Sequence, residues 1–353
     1  MDLLKVKNNF LSELERANSG EKTSLPFIVH EIPEFSIVEE NETFQVIVIG
    51  GTYGISAEVE KNGMSCKILS QKKVTLPLLS NKESLFLLLD QLFLDSTRVL
   101  VINFAFPIMP IFENGKLDGK LVTGTKGHAF KGLVDKNIGA EIERYIWEKQ
   151  NKKILVSVAN DTVCLLLSGL EKADSKKLAA GIVGSGMNFA IFLDSHKLVN
   201  LESATFNKFP LSVEVEEIDS ESANPGTYLY EKAVAGVYLY KHFNIQLRHL
   251  HVSHPAVSST EDLDTLAREN TGEVGDIARN LIKRSAQLIS AQIAAIMEFR
   301  KTDMVFVMEG SLFWRGYMYK ETVAKTLAEL TEYKAEFMEI ENSGILGAAH
   351  LVA

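Results

Sequence analysis

Cysteine is scarce in this chain of 353 residues, which contains only Cys66 and Cys164. Both lie in apolar stretches, and two thiols cannot form the disulfide framework of a small secreted protein. We therefore expect reduced thiols in the core and a cytoplasmic location. Long apolar runs are also missing, since no run approaches the ~20 residues that a membrane-spanning helix needs. Lys5 and Lys7 interrupt the apolar residues near the N-terminus, so we expect neither a signal peptide nor membrane insertion.

Positive charge is in deficit, because 37 lysine and arginine residues stand against 46 aspartate and glutamate residues, giving a formal net charge of −9. Nucleic-acid-binding domains are typically basic, so a nucleic-acid partner is not expected. Hydrophobic residues make up 46% of the chain and charged residues 24%, which is typical of globular proteins. A chain of this length can form two domains with a large core.

Residues 154–162 combine an apolar run with polar residues at its end. The run predicts a buried strand, and the residues after Asn160-Asp161-Thr162 predict a helix. A carboxylate at the carboxyl end of a buried strand points into the crevice where α/β sheets bind ligands. The alternative is that Asn160 or Asp161 only caps the following helix.

Two glycine-rich turns each join a pair of predicted strands. The first is Gly50-Gly51-Thr52, and the second is Gly184-Ser185-Gly186. A strand follows the first turn, which excludes a Walker loop and a dinucleotide-binding fingerprint, since both need a helix there. Backbone N–H groups of such a turn can bind phosphate, and an ordinary hairpin turn is the alternative. The repetition predicts a duplicated domain with a nucleotide between the copies.

Apolar spacing predicts several further elements. Residues 2–18 predict an amphipathic helix with Leu4, Leu11 and Leu14 on its apolar face, which we expect to dock on its own domain. Residues 274–299 predict a long, largely apolar helix, and Glu113-Asn114-Gly115 predicts a hairpin turn. Residues 81–95 also predict a helix, and its expected core face consists of Leu85, Leu88, Leu89 and Leu92.

From about Phe44 to the C-terminus, a series of short segments resembles, in order and spacing, the motifs of the hexokinase family. Gly50-Gly51-Thr52 and Gly184-Ser185-Gly186-Met187-Asn188 resemble its two phosphate loops. The segments that resemble its sugar-site motifs are Phe104-Ala105-Phe106-Pro107, Thr125-Lys126-Gly127, Asn160-Asp161-Thr162-Val163 and Asn200-Leu201-Glu202. The most specific match is Ser222-Ala223-Asn224-Pro225-Gly226 followed by Tyr230-Glu231-Lys232. The segments that resemble its adenosine-side motifs are Glu309-Gly310-Ser311 and Ser343-Gly344.

The resemblance implies an α/β protein with the two-lobed, ribonuclease H-like fold of the actin-like ATPases, in which duplicated domains surround a cleft. It implies an N-terminal helix at 1–21, a small lobe at 22–159 plus 342–353, and a large lobe at 160–341. The expected partners are a hexose and ATP, and the protein is expected to be a monomer or a homodimer.

The resemblance also implies phosphoryl transfer from ATP, accompanied by Mg²⁺, to the 6-hydroxyl group of a hexose such as glucose, mannose or fructose. Asp161 would accept the hydroxyl proton as general base, and Lys126 would offset charge near the reacting oxygens. The residues expected to bind the sugar are Thr125, Lys126, Asn160, Asp161, Asn188, Glu202 and Glu231. The residues expected to hold ATP are Gly50, Gly51, Thr52, Gly184, Ser185, Gly186, Gly310, Ser311, Ser343 and Gly344.

Three positions depart from the family pattern. Val48 stands where the family has an aspartate that helps to hold magnesium, Ala105 replaces a serine, and Tyr53-Gly54-Ile55 replaces Asn-Phe-Arg. A valine side chain has no oxygen with which to bind the ion, so no metal ligand is assigned. One alternative is therefore a sugar-binding regulator with this fold and little catalysis. A second is a relative of this fold that acts on another small molecule, against which the sugar set argues.

Overall fold

The computed structural model describes residues 2–125 and 127–353. These residues form two compact units, each assembled from several chain segments. Unit 1 is made of the described residues of Met1–Phe27, Gly181–Phe189 and Leu201–Glu339. Unit 2 is made of the described residues of Ile28–Ala180, Ala190–Asn200 and Ile340–Ala353. No described helix has both the length and the apolar character needed to cross a membrane.

Strands and helices are present throughout the described chain, as expected for an α/β protein. The strands are β1 (Ile28–Glu31), β2 (Thr43–Ile49), β3 (Tyr53–Asn62), β4 (Ser65–Thr75), β5 (Val99–Phe104), β6 (Ile108–Glu113), β7 (Lys116–Leu121), β8 (Leu155–Asn160), β9 (Leu178–Val183), β10 (Met187–Phe192), β11 (Lys197–Asn200), β12 (Met304–Glu309) and β13 (Ala335–Met338). The α-helices are α1 (Leu3–Asn18), α2 (Lys82–Leu92), α3 (Ile138–Gln150), α4 (Asp161–Ser168), α5 (Val213–Ser220), α6 (Leu229–Val234), α7 (Gly236–His249), α8 (Thr260–Glu269), α9 (Glu273–Arg300), α10 (Ser311–Arg315), α11 (Tyr319–Leu330) and α12 (Ser343–Ala349). The 3₁₀ helices are Gly169–Glu171, Ser175–Lys177 and Ser203–Thr205.

A five-stranded sheet with the order β4-β3-β2-β5-β8 lies in unit 2. β2 and β3 form the antiparallel hairpin predicted around the first glycine turn. β5 runs parallel to both β2 and β8, with Phe104 opposite Ile49 on one side and Asn160 on the other. Because parallel strands end at the same edge of a sheet, this register brings the carboxyl ends of β2, β5 and β8 together.

The core of unit 2 packs around this sheet. Every residue of β5 is buried, as expected for a strand covered on both faces. The hairpin of β6 and β7 turns at Asn114-Gly115, as the sequence predicts. Helix α2 begins with a capping box between Asn81 and Ser84. The four leucines of its predicted core face are all buried, namely Leu85, Leu88, Leu89 and Leu92. Also in unit 2, β11 pairs antiparallel with β1 and with residues 190–192 of β10.

Unit 1 is built around α9, which confirms the long helix predicted at 274–299. Helices α1, α7, α8 and α11 all pack against α9. The N-terminal helix therefore docks on its own unit, as expected, but its predicted apolar face is partly wrong. Leu4 is exposed, whereas Val6 and Phe10 are buried together with Leu14. Lys7 is buried there as well, because its ammonium group binds the Glu298 carboxylate at 2.6 Å. A buried ammonium group without such a partner would be very unfavourable.

Candidate functional site

Asn160 and Asp161 lie where β8 ends and α4 begins, in unit 2. Asn160 Oδ1 accepts hydrogen bonds from the Thr162 amide at 3.0 Å and from Asn200 Nδ2 at 3.3 Å. Asn160 is therefore the N-cap of α4, so the capping alternative holds for this residue. Its burial and its second bond to Asn200 show that capping is not its only interaction.

The Asp161 carboxylate is held through one of its two oxygens. Oδ1 accepts hydrogen bonds from the Thr162 amide at 2.8 Å and from the Thr162 hydroxyl at 3.3 Å. Among the described residues, no hydrogen bond to Oδ2 is present in the structure. The side chain is half-buried, and Asp161 is the first residue of α4. An oriented carboxylate with one oxygen available can accept a proton.

The first glycine turn joins β2 to β3 in unit 2. The Gly50 amide donates to the Tyr53 carbonyl at 3.1 Å, and Gly51 and Thr52 are exposed. The Thr52 carbonyl accepts from the Leu76 amide at 2.8 Å. The two residues at the tip of the turn are thus accessible to a ligand.

Val48 lies just before this turn, half-buried and opposite Asn103 of β5. Asn103 Nδ2 donates to the Gly344 carbonyl at 3.0 Å. A Cβ atom built on Gly344 would lie 3.8 Å from both methyl groups of Val48. The structure therefore brings Ser343-Gly344, at the start of α12, to the end of β2. Asn103 Oδ1 is buried and has no hydrogen-bond partner among the described residues.

Of the predicted Thr125-Lys126 pair, Lys126 lies outside the described residues. Thr125 is half-buried, and its carbonyl accepts a hydrogen bond from the His128 amide at 2.9 Å. His128 is buried, and its Nδ1 atom accepts from the Leu79 amide at 3.0 Å. His128 is thereby bonded to both Thr125 and Leu79 of unit 2.

The second glycine turn lies in unit 1, between β9 and β10. Its Gly184 amide donates to the Gly186 carbonyl at 2.9 Å, and the Gly184 carbonyl accepts from the Gly236 amide at 2.7 Å. Gly310 has a φ of +118°, and a Cβ atom there would lie 2.2 Å from the Val183 carbonyl oxygen. Only glycine permits so close an approach of two backbones. The predicted phosphate turn and the predicted adenosine-side glycine are therefore neighbours.

A cavity of about 540 Å³ opens beside this turn, within unit 1. Gly184 and Ser185 line it on one side, and Ser311 lines it on another. Its size is within the range of small-ligand sites. The sequence reasoning missed Thr260 and Asp264 of α8, which also line it. Ser259 caps α8, so the sequence does hold a helix-start signal here, but that signal does not show where the helix packs.

Asn188, Glu202 and Glu231 meet at the start of β10, also in unit 1. Asn188 Oδ1 accepts a hydrogen bond at 3.2 Å from the amide of Ser203, the residue after Glu202. Glu231 Oε2 accepts a hydrogen bond at 3.2 Å from the amide of Met187, the residue before Asn188. Three residues predicted to bind sugar are thus brought together, although they are far apart in the sequence.

Tyr228 is a fourth polar residue of this group, and the sequence reasoning missed it. Burial raises the pKa of its hydroxyl group, and the negative charges of Glu202 and Glu231 raise that pKa further. The hydroxyl group therefore stays protonated at neutral pH and can donate a hydrogen bond. The sequence contains one signal for Tyr228, namely its spacing of three residues from the predicted sugar ligand Glu231.

Among the described residues, the donor atoms do not form a metal-binding cluster. In the part of the chain that the structure describes, no group of three or more His, Cys, Asp or Glu side chains could hold a metal ion. Beside the first turn, Val48 offers no oxygen, and Oδ1 of Asn103, which lies opposite Val48 on β5, is buried.

Comparison with known proteins places these features in context. The family model described as Hexokinase matches residues 250–353. Hexokinase-5 of Oryza sativa subsp. japonica is 24% identical over 268 residues, which cover 66% of this chain and 52% of that protein. Hexokinase-2 of Saccharomyces cerevisiae is 24% identical over 429 residues, which cover 99% of this chain and 88% of that protein. The match therefore spans about half the length of the rice relative and most of the yeast one.

Solved structures establish the fold. The structure of the hexokinase of Schistosoma mansoni complexed with glucose has a TM-score of 0.79 at 20% identity, covering 99% of this chain and 94% of that chain. A second crystal structure of a hexokinase has a TM-score of 0.81 at 21% identity, covering 99% of this chain and 95% of that chain. The predicted α/β fold of the two-lobed actin-like ATPase type is thereby confirmed.

Proposed function

We propose that the chain is a member of the hexokinase family and that it transfers the γ-phosphoryl group of ATP to the 6-hydroxyl group of glucose, mannose or fructose. One observation carries the proposal. Glu231, a predicted sugar ligand, binds the Met187 amide directly after the turn whose Gly184 and Ser185 line the large cavity. The predicted sugar ligand Glu231 and a cavity large enough for a nucleotide therefore adjoin the same turn of unit 1.

Asp161 is the proposed general base. A sugar hydroxyl group is a weak nucleophile at neutral pH, and Asp161 Oδ2 would take its proton as the sugar oxygen bonds to the γ-phosphorus. The bond between that phosphorus and the β-phosphate oxygen breaks, and ADP leaves. The hydrogen bonds from Thr162 to Oδ1 hold the carboxylate in one orientation. Lys126 is proposed to offset negative charge near the reacting oxygens.

Sugar hydroxyl groups both donate and accept hydrogen bonds, which suits amide and carboxylate side chains. The proposed sugar ligands are Thr125, Lys126, Asn160, Asp161, Asn188, Glu202 and Glu231. Asn160 is held by Asn200, and Asn188 by Ser203, so both amides are oriented before a sugar binds. Such preorganisation lowers the entropic cost of binding.

ATP is proposed to bind through backbone N–H groups and hydroxyl groups of the two glycine turns. The proposed nucleotide ligands are Gly50, Gly51, Thr52, Gly184, Ser185, Gly186, Gly310, Ser311, Ser343 and Gly344. The magnesium ion that accompanies ATP neutralises charge on the transferring phosphoryl group. The lobe boundaries, the cytoplasmic location and the monomeric or dimeric state stay predictions.

Val48 favours a second candidate function, a regulator that binds sugar and catalyses little or no transfer. Val48 stands in β2 in place of the family aspartate, and in the described residues no group of three or more His, Cys, Asp or Glu side chains could hold a metal ion instead. In that case the sugar residues would serve binding alone. Asp161 argues for the kinase, because a protein that only binds sugar has less need of an oriented carboxylate beside the sugar.

An ADP-release assay with glucose, mannose and fructose, with and without magnesium, separates the two candidates. The kinase releases ADP with at least one sugar at millimolar concentration, and only when magnesium is present. Calorimetry on the same sample measures sugar binding. Binding without ADP release would favour the regulator, and a folded protein that binds none of the three sugars would overturn both.

A further inference from the structure

Lys232 is a charged side chain that neither the proposed chemistry nor the proposed sugar contacts use. It lies on α6 directly after Glu231, and it is completely buried. An unpaired ammonium group would be very unfavourable in that position, so its partners must satisfy it. Those partners lie at the end of α5 and in the loop that follows it.

The Lys232 ammonium group makes three contacts with the last turn of α5 and the loop between α5 and α6. Nζ donates to the Asp219 carboxylate at 2.6 Å, to the Ser222 hydroxyl at 2.9 Å and to the Asn224 carbonyl at 3.0 Å. An ammonium group has three hydrogens, so its donor capacity is used in full. The Asp219 carboxylate in turn accepts from the Gly226 amide, at 3.0 and 2.9 Å to its two oxygens. We call this set of contacts the lysine clip.

The lysine clip fixes the chain immediately before two residues of the proposed sugar group. Gly226 is followed closely by Tyr228, which has a left-handed backbone with a φ of 52°. Such a conformation is unfavourable for an aromatic residue and persists only where the surroundings enforce it. Tyr228 is the N-cap residue of α6, and its carbonyl accepts from the Lys232 amide at 3.0 Å. Loop and helix are thus joined at both the side chain and the backbone of Lys232.

A second buried contact holds the other side of Lys232. His242 Nε2 lies 2.7 Å from the Lys232 carbonyl and donates to it, since a carbonyl oxygen can only accept. His242 Nδ1 is then the acceptor for Arg284, at 3.3 Å. α6 is therefore held from the loop side and from the side of α7 and α9.

We propose that Lys232 is a positioning residue for sugar recognition: through the lysine clip it holds residues 219–228 in the one conformation that presents Tyr228 and Glu231 to the sugar. The inference rests on the proposed function, because it takes Glu231 as a sugar ligand. Lys232 touches neither substrate. Its loss therefore weakens sugar binding, while ATP binding and the transfer step on Asp161 are largely retained.

The test compares Lys232→Met, which keeps the length of the side chain but removes the ammonium group, with the wild type. Lys325→Met is the matched control, since Lys325 is an exposed lysine of α11 in the same unit. Asp219→Asn is the milder variant, because an amide oxygen still accepts from Lys232 and Gly226. It tests the clip even if Lys232→Met does not fold.

Steady-state kinetics give the first readout. We expect the glucose KM of Lys232→Met to rise about tenfold or more, with a smaller rise for Asp219→Asn, because small misplacements of binding groups have large effects. The ATP KM should stay within about twofold and kcat within about threefold. Amide hydrogen exchange gives the second readout, and protection of residues 219–228 should fall in both variants but not in Lys325→Met.

The outcomes separate the inference from the proposed function. If the folded variants lose stability and loop protection while their glucose KM is unchanged, the clip is only structural and the inference fails, but the proposed function stands. If loop protection is also unchanged, no clip exists and the inference fails as well. If the wild type binds none of the three hexoses, the proposed function fails and sugar positioning fails with it, while hydrogen exchange still decides whether the clip holds the loop.

Discussion

Restoring a carboxylate at Val48 is the perturbation that most directly tests the phosphate side of the site. Val48 lies at the end of β2, with Asn103 opposite and Gly344 in contact range. A Val48→Asp side chain would have similar size and would place two oxygens beside Asn103. Those oxygens could orient a water molecule of the magnesium ion that arrives with ATP. The wild-type valine side chain has no oxygen that could do so.

The structure indicates the cost of this change. Val48 is half-buried, so losing its methyl groups removes about 1 kcal/mol of hydrophobic stabilisation. A partly buried carboxylate next to the unpaired acceptor Asn103 Oδ1 costs roughly a further 1–2 kcal/mol. We therefore expect Val48→Asp to lower the free energy of unfolding by about 2–3 kcal/mol. Val48→Asn is the matched control, because it introduces the same shape and polarity without the charge.

The assay is ADP release at saturating glucose and fixed ATP, titrated with free magnesium. Residues that orient the water or ligands of a metal ion typically change metal affinity or activity 10–100-fold, so we expect Val48→Asp to lower the magnesium requirement about tenfold. Val48→Asn should not lower it. Equal magnesium requirements and equal rates in wild type and Val48→Asp would refute the reasoning. Glucose binding without ADP release from either protein would favour the regulator.

Three further predictions concern other parts of the molecule. Asp161→Asn should lower kcat by about 10²–10⁴-fold with an unchanged melting temperature, because the general base is lost while the contacts with Thr162 can persist; near-normal kcat would show that Asp161 only supports α4. Gly310→Ala should raise the ATP KM or prevent folding, because the new Cβ atom would lie 2.2 Å from the Val183 oxygen. Gly20→Ala is the control, since Gly20 also has a positive φ but no atom lies within 4 Å of the position of its Cβ atom. An ATP KM and a stability of Gly310→Ala like those of the control would contradict this prediction. His242 is buried, and its pKa is lowered to about 4, mainly by desolvation. The unfolded chain therefore binds this proton first as the pH falls below about 6.5, and the wild type should lose up to about 3 kcal/mol of stability between pH 6.5 and pH 4. Urea unfolding should show a shallower loss of stability with falling pH for His242→Gln, and equal slopes would refute the assignment.

Local patterns predicted the elements of this chain well. The core face of α2 and the span of α9 follow from apolar spacing, which reports burial directly. The hairpin at Asn114-Gly115 follows from the positive φ values of 54° and 72° that these two residue types tolerate. The predicted face of α1 was partly wrong, because Lys7 and Glu13 are buried there with partners from distant segments. A sequence pattern treats charged residues as exposed, so it misses such pairs.

The site was less accessible to sequence reasoning than the fold. The meeting of Asn188, Glu202 and Glu231 was expected only through the family resemblance, because no local pattern links residues so far apart. Their roles in sugar binding stay predictions. The cavity walls on α8 were missed, since Thr260 and Asp264 resemble ordinary residues of a polar helix. Their contribution depends on how α8 packs, which is set by long-range contacts.

The discontinuous make-up of unit 2 has a consequence for how the protein can be synthesised and divided. Helix α12 packs against α4, β2 and β5, yet the ribosome makes it after nearly all of unit 1. Unit 2 therefore cannot complete its core during translation until residues 340–353 have been synthesised. Until then, the apolar surface of its earlier elements that α12 covers stays exposed. For the same reason no single cut in the chain yields two fragments that each contain one whole unit.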